Sequence, residues 1–200
     1  MPSIYQLKPA FQNLLRPMTA TLARSGVTAN QVTFIAMLLS FVVGFCLWKF
    51  HADRWPLLLL PIFLFIRMAL NAIDGMLARE HGQKSALGAM LNELSDVLSD
   101  AALYLPFAVL PSISPILVVW VVLLAVISEM SGVAALQIGA SRRYDGPMGK
   151  SDRAFVFGAI ALALWLGWMG EWVNWLLGVM LLLLALTTLN RARKALQEVA

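Results

Sequence analysis

Residues 71–100 read NAIDGMLAREHGQKSALGAMLNELSDVLSD, and they hold four carboxylates in or beside apolar runs: Asp74, Glu93, Asp96 and Asp100. Each of these charges is costly in an apolar setting unless it is paired or bound to a cation. On a helix, Asn71 and Asp74 lie one turn apart on the same face. A second stripe consists of Asn92, Asp96 and Asp100. Two facing stripes of oxygen ligands suit a hard divalent cation such as Mg²⁺.

Composition indicates a membrane protein. The chain has 200 residues, of which 60% are hydrophobic, and its mean hydropathy of +0.77 is far above that of soluble domains. Six apolar runs approach the ~20 residues that cross ~30 Å of hydrocarbon. These runs are 31–50, 55–77, 87–110, 114–138, 154–169 and 172–189. We therefore predict an all-α integral membrane fold, a single domain over residues 1–200 with a bundle of six transmembrane helices at 30–192.

The N-terminal segment and the basic residues predict the orientation. Residues 1–29 place basic among apolar side chains at helical spacing, which is typical of an amphipathic helix lying at the membrane interface. Most Lys and Arg flank the chain ends and the loops after the second and fourth runs, so both termini are predicted to be cytoplasmic. Anionic headgroups and phosphorylated substrates explain the net charge of +4 better than nucleic acid does. The single cysteine, Cys46, excludes a disulfide framework.

The acidic stretch resembles a family signature. The CDP-alcohol phosphotransferases, or CDP-alcohol phosphatidyltransferases, carry D-x-x-D-G-x-x-A-R followed by G-x-x-x-D-x-x-x-D. The corresponding positions here are Asn71-x-x-Asp74-Gly75-x-x-Ala78-Arg79 and Gly88-x-x-x-Asn92-x-x-x-Asp96. The spacing agrees throughout, whereas Asn71 and Asn92 stand where the family has aspartate.

This resemblance implies a membrane transferase of phospholipid biosynthesis that uses Mg²⁺ or Mn²⁺. An acceptor hydroxyl attacks a CDP-linked donor such as CDP-diacylglycerol, and CMP leaves. The metal ligands implied are Asn71, Asp74, Asn92 and Asp96, and Asp96 also matches the aspartate that activates the acceptor. Asp100 or Glu93 is our candidate to replace the lost ligand charge, whereas the alternative for Asp100 is an ion pair with an intramembrane base such as Arg67.

Further positions are assigned to CDP binding by the same resemblance. Within the signature they are Gly75, Ala78, Arg79 and Gly88. Asn30 and Thr33 belong to an element that resembles the T-P-N-x-x-T opening the family's first membrane helix, with Ala29 in place of proline. Helix capping by Thr28 or Asn30 would explain that element equally well.

Four basic residues follow the fourth run: Arg142, Arg143, Lys150 and Arg153. They resemble the acceptor-side region of the family and could hold an anionic acceptor such as a phosphorylated polyol, although ordinary cytoplasmic anchoring by positive charge is the alternative. Glu129 is a lone acid in an apolar run, for which a structural role is favoured. A homodimer is a further expectation from the family.

The implied setting is the bacterial inner (cytoplasmic) membrane, with the active site facing the cytoplasm. Two other functions remain open from the residues alone. One is a catalytically impaired relative that binds a CDP-lipid without turnover, because two aspartates are replaced. The other is a small ion-coupled transporter, which the absence of a repeated half disfavours.

Overall fold

The computed structural model describes the backbone of residues 4–200 and the side chains from residue 10 onward. Over that part of the chain there are seven α-helices and no β-strand, which confirms the all-α class. The helices are α1 (Ile4–Arg24), α2 (Ala29–Lys49), α3 (Trp55–Glu80), α4 (Ala86–Tyr104), α5 (Pro115–Ala134), α6 (Lys150–Trp165) and α7 (Trp172–Val199). Short 3₁₀ helices, Leu105–Val109 and Ala135–Ile138, follow α4 and α5. Residues 1–3 of the predicted 1–29 segment lie outside the described residues.

Four of the described helices are long and apolar enough to cross a membrane: α2, α3, α7 and the continuous segment Pro115–Ile138. α4 falls short because it carries three carboxylates, and α6 because it has only 16 residues. The predicted count of six spans and the cytoplasmic termini therefore stay predictions.

The surface of the candidate spans suits lipid. On α2, four large apolar side chains point outward, each at least 44% exposed: Phe34, Leu38, Phe41 and Phe45. α3, α5 and α7 expose similar side chains, including Phe65, Ile116 and Leu182. Such continuous apolar surface is unfavourable in water but not in a bilayer. These helices are therefore those of an integral membrane protein.

Local capping explains where two helices begin. The Thr28 hydroxyl accepts the backbone N–H of Gln31 at 3.3 Å, and Gln31 Oε1 accepts the Thr28 N–H at 2.9 Å. This reciprocal capping box starts α2, so the cap is Thr28 rather than Asn30. α6 begins four residues before the apolar run at 154, because the Asp152 carboxylate accepts the Gly149 N–H at 2.8 Å in its first turn.

Packing divides the chain into two compact units. The first contains the chain up to Val42 together with Ile62–Ser99. Its core joins α1, α2 and α3 through Leu15, Val32 and Met76. On the outer face of α1, Leu14 is 75% exposed, while Arg16 pairs with Glu80 at the end of α3 at 3.0 Å. α1 thus packs one face against the protein and exposes an apolar side chain on the other, as expected for a helix at the membrane interface.

The second unit contains Val43–Pro61 and Asp100–Ala200. α5 packs along α7, and three fully buried aromatic rings hold the end of α4 and the following 3₁₀ helix against α6. Tyr104 stacks on Phe157 with centroids 4.1 Å apart, and Phe107 meets the same ring edge-on at 5.1 Å. Asn174 of α7 accepts the Ser114 N–H at 2.8 Å, which fixes the start of α5.

A close approach of α2 and α4 in the second unit predicts a stability effect. A Cβ on Gly44 of α2 would overlap the carbonyl oxygen of Ala102 of α4 and lie 2.8 Å from its carbon. We expect Gly44→Ala to lower the free energy of unfolding by roughly 1–3 kcal/mol, because two backbones must separate. The matched control is Gly178→Ala in α7, where a Cβ meets nothing within 4 Å; helix propensity should leave it neutral or slightly stabilised. Thermal unfolding in detergent compares them, and equal effects would contradict the close approach.

Candidate functional site

Thr33 of α2 and Asp74 of α3 form a buried polar contact in the first unit. The Thr33 hydroxyl lies 2.8 Å from Asp74 Oδ2 and 3.1 Å from the carbonyl oxygen of Ala29. It donates to the carboxylate, which is closer and charged. Both side chains are buried. The signature aspartate is therefore held in a defined orientation by the helix that sequence analysis linked to CDP binding.

Asn30 brings the first turn of α2 against the start of α4. A Cβ on Gly88 would lie 2.7 Å from Asn30 Oδ1 and 3.0 Å from Ser85 Oγ, so only glycine permits this approach. The Gly88 N–H in turn donates to Ser85 Oγ at 2.9 Å. The structure thus brings together residues from both halves of the signature and from the α2 element.

Gln83 completes this neighbourhood, and sequence analysis missed it. Its Oε1 accepts the Ala29 N–H at 2.7 Å, and its Nε2 donates to the Val27 carbonyl at 3.3 Å. These bonds tie the loop between α3 and α4 to the start of α2. A single glutamine in a polar loop carries no signal that could have revealed this role.

Arg79 lies over Gly75 on the exposed end of α3. A Cβ at Gly75 would stand 2.9 Å from Arg79 Nη2, so the guanidinium folds back along its own helix. Arg79 is exposed and Ala78 is half-buried. The arginine fork is therefore accessible at the position expected to meet phosphate oxygens.

Arg67 contacts Asp96, the expected general base. Its Nη2 donates to the Asp96 backbone carbonyl at 3.2 Å and lies 3.7 Å from the carboxylate oxygen Oδ1. Arg67 is 3% exposed, so this charge is within the protein. Sequence analysis had offered Asp100 as a partner of Arg67, because helical spacing alone does not show which helices pack together.

The remaining candidate ligands differ in exposure. Asn92 is exposed, whereas Asn71, Glu93 and Asp96 are half-buried. Among the residues that the structure describes, no group of three or more His, Cys, Asp or Glu side chains could hold a metal ion. A metal site built on Asp74 and Asp96 would therefore need the amide oxygens of Asn71 and Asn92.

Asp100 belongs to the second unit, where it is paired with Arg153. Arg153 Nη2 lies 2.9 Å from Asp100 Oδ2 and 3.0 Å from Glu129 Oε1. Glu129 also contacts Arg191 at 3.2 Å and Arg142 at 3.0 Å. The favoured structural role of Glu129 is thus an ionic hub between α5, α6, α7 and the loop that carries Arg142.

The other basic residues near this loop are also engaged. Arg143 pairs with Asp145 at 2.9 Å and with Glu198 at 2.6 Å, while Lys194 pairs with Asp145 at 2.7 Å. The hydrogen bond from Lys194, together with that from Arg143, holds the pKa of the Asp145 carboxyl below its ordinary value. Lys150 begins α6 and is half-buried. The positive charge of the segment expected to bind the acceptor is therefore balanced by several carboxylates.

Comparison with known proteins bears on what this arrangement does. The family model of the CDP-alcohol phosphatidyltransferases matches residues 26–186. The chain is 48% identical to the inner membrane protein YnbA of Escherichia coli over 196 residues, covering 97% of this chain and 96% of that protein. It is 33% identical to the archaetidylinositol phosphate synthase of Pyrococcus horikoshii over 98 residues, 49% of this chain and 50% of that one.

The fold is also similar to solved structures. One is the phosphatidylinositol phosphate synthase of Mycobacterium tuberculosis in complex with manganese and citrate, with a TM-score of 0.71, 18% identity, and coverage of 90% of this chain and 88% of that one. Another is the same enzyme with CDP-DAG bound, with a TM-score of 0.69, 20% identity, and 92% of each chain covered. The match over residues 26–186 and the relative aligned along nearly its whole length agree: the chain belongs to the CDP-alcohol phosphatidyltransferase family.

Proposed function

We propose that this protein transfers a phosphatidyl group from a CDP-linked lipid, such as CDP-diacylglycerol, to the hydroxyl of a small acceptor, with release of CMP. The observation that carries the proposal is the bond from Thr33 to Asp74, because it joins the α2 element to the signature within one packed unit. The solved relative that contains CDP-DAG supports a lipid donor. A homodimer stays a prediction.

The proposed location is the bacterial inner membrane, with six spans and the site at the cytoplasmic side. The six proposed spans are the four long apolar helices together with α4 and α6. The relative named an inner membrane protein supports this membrane, and the distribution of Lys and Arg supports the orientation. This location of the site suits a CDP-lipid, because the lipid tails stay in the bilayer while the diphosphate lies at the interface.

The donor set fits Mg²⁺ or Mn²⁺. Two carboxylates and two amide carbonyls supply oxygen atoms alone, the ligands that these hard cations prefer. Asn71, Asp74, Asn92 and Asp96 would hold the ion, with Glu93 or Asp100 as candidates for extra charge. The manganese in the solved relative supports a divalent ion. When bound, such an ion neutralises the diphosphate and stabilises the leaving group.

The chain's own residues account for the remaining steps. Asp96 accepts the proton of the acceptor hydroxyl as its oxygen bonds to the phosphorus attached to the lipid alcohol. The bond from that phosphorus to the bridging oxygen breaks, and CMP leaves with the electron pair. Arg67 attracts the Asp96 carboxylate and limits its motion. Arg79, Gly75, Ala78, Gly88, Asn30 and Thr33 bind the CDP group, and the segment with Arg142, Arg143, Lys150 and Arg153 serves the acceptor.

A second candidate function is CDP-lipid binding without turnover. The specific observation in its favour is the loss of two carboxylates at Asn71 and Asn92, combined with a buried guanidinium beside Asp96. Binding of CDP-diacylglycerol by purified protein that releases no CMP with any acceptor would support this second function.

CMP release from CDP-diacylglycerol by purified protein with Mg²⁺ or Mn²⁺ tests the proposal. We expect Asp96→Asn to lower kcat by about 10²-fold or more, because the amide cannot take the proton. Asp53→Asn in the exposed turn after α2 makes the same chemical change away from the site and should leave kcat unchanged. Equal rates for both variants would contradict the role of Asp96.

Restoring the family aspartates should strengthen metal binding. The double variant Asn71→Asp, Asn92→Asp adds two ligand charges, and we expect Mn²⁺ affinity to rise by about tenfold or more. The free Mn²⁺ signal in electron paramagnetic resonance measures this without turnover. Unchanged affinity would contradict the assignment of these positions as ligands.

Removing the Thr33 hydroxyl should impair the site more than it impairs the fold. Thr33→Val leaves Asp74 without its 2.8 Å donor, and we expect CMP release to fall about tenfold, as for loss of a hydrogen bond to a charged group. Thr19→Val is the matched control, because that buried hydroxyl donates to the carbonyl of Leu15 in its own helix. Thermal unfolding of both variants separates activity from stability, and equal losses of activity would argue against a site role.

A further inference from the structure

Arg67 is a buried cation on the face of α3 that carries the first half of the signature. It is 3% exposed, and a guanidinium keeps its proton in proteins. Asn71 and Asp74 follow it by four and seven residues, so the three positions form one stripe along the helix. A fixed positive charge is therefore built into the stripe that is proposed to supply metal ligands.

Arg67 also reaches the second half of the signature, which lies on α4. Its Nη2 donates to the Asp96 backbone carbonyl at 3.2 Å and lies 3.7 Å from the carboxylate oxygen Oδ1. The Asp96 side chain is 24% exposed, so solvent reaches it while it contacts the guanidinium. Both residues belong to the first unit, within Ile62–Ser99. The guanidinium thus joins the two halves of the proposed metal site inside one packed unit.

The charge of the signature positions differs from that of the family pattern. Four aspartates would carry four negative charges, which match two divalent cations. Here Asn71 and Asn92 are neutral. Asp74 and Asp96 carry two negative charges, and the charge of Arg67 leaves a sum of one. Among the residues that the structure describes, no three His, Cys, Asp or Glu side chains form a group that could hold a metal ion, so a third carboxylate does not join this pair.

We propose that this site binds a single divalent cation, and that Arg67 supplies, as a fixed part of the chain, the positive charge that a second ion would bring. This inference rests on the proposed metal site and states how many ions it holds. A second divalent cation would enter a site whose two acids are already balanced by the first, and it would lie near a buried guanidinium. Repulsion between like charges opposes that entry.

A guanidinium can take this place because it is permanently charged and binds carboxylate oxygens through directed N–H donors. It differs from a metal ion in that it cannot dissociate, so its charge is present at every metal concentration. Loading of the site then depends on one ion from solution. The oxygen ligands of that ion would be those of Asn71, Asp74, Asn92 and Asp96.

Counting bound Mn²⁺ tests the inference on the wild-type protein without turnover. Detergent-purified protein is stripped with a chelator and titrated with Mn²⁺, and bound metal is counted by calorimetry and electron paramagnetic resonance. We expect one saturable Mn²⁺ per chain with the signal of an isolated ion, whereas two ions about 3.5–4 Å apart would couple magnetically. Two saturable ions per chain overturn the inference. No saturable binding overturns it together with the proposed metal site.

Removing the Arg67 charge should strengthen binding of the one ion. In Arg67→Gln the amide can still donate a hydrogen bond, but the site becomes more negative by one charge, and we expect Mn²⁺ affinity to rise by about tenfold. Arg67→Lys is the matched control, because it keeps the positive charge, and its affinity should stay near that of wild type. Equal affinities in all three proteins overturn the role of Arg67.

Thermal unfolding separates this role from a merely structural one. Loss of a structural contact would lower the unfolding temperature equally with and without metal. We expect Mn²⁺ to raise the unfolding temperature of Arg67→Gln more than that of wild type, because tighter binding to the folded state stabilises it more. An equal shift in the two proteins contradicts the inference.

Restoring the family aspartates shows whether Arg67 limits the ion count. With Arg67 retained, we expect the double variant Asn71→Asp, Asn92→Asp to hold one ion, and we expect the addition of Arg67→Gln to admit a second. Two ions in the double variant, or one in the folded triple variant, overturn the inference. The proposed transfer reaction is judged by CMP release and this inference by the number of bound ions, so either can fail without the other.

Discussion

The constraint on which the structure depends is the cost of placing charged groups inside an apolar chain. Removing a carboxylate or a guanidinium from water costs several kcal/mol per ion, so each buried charge requires partners in good geometry. Asp74, Asp100 and Glu129 are all buried, and each meets a donor from a different helix or loop. The positions at which these donors lie in turn determine which helix faces meet within each unit.

The two units satisfy this constraint in different ways. In the first, Asp74 accepts a hydrogen bond from the Thr33 hydroxyl, and Arg67 Nη2 lies 3.7 Å from the Asp96 carboxylate. In the second, Arg153 donates twice to one oxygen of Asp100. A carboxylate neutralised by a guanidinium in this way attracts a further cation less, which weighs against Asp100 as a metal ligand.

Much of the fold could be predicted from the sequence, because long apolar runs constrain helices strongly. The start of α3 at Trp55 and that of α7 at Trp172 agree with the predicted runs. The start of α6 at Lys150 was not predicted, because its first turn is polar and a hydropathy pattern does not include such residues. In the site, the resemblance singled out Asp74 and Thr33 separately, and the structure brings them within 2.8 Å of each other. The partners of Arg67 and Glu129 lie tens of residues away along the chain, so no helical period could reveal them.

The replacement of two family aspartates changes the electrostatics of the site without by itself removing the means of catalysis. Asp74 and Asp96 carry two negative charges, which balance one divalent cation, and Arg67 offsets part of that charge. A site that is less negative attracts a metal ion more weakly, yet it also repels the diphosphate of the donor less. The exposed Arg79 presents a guanidinium fork at the end of α3, of the kind suited to phosphate oxygens. The Asp96 carboxylate that we propose as proton acceptor and the Thr33 contact to Asp74 are both present, so we expect the substitutions to bear on metal affinity more directly than on the transfer step.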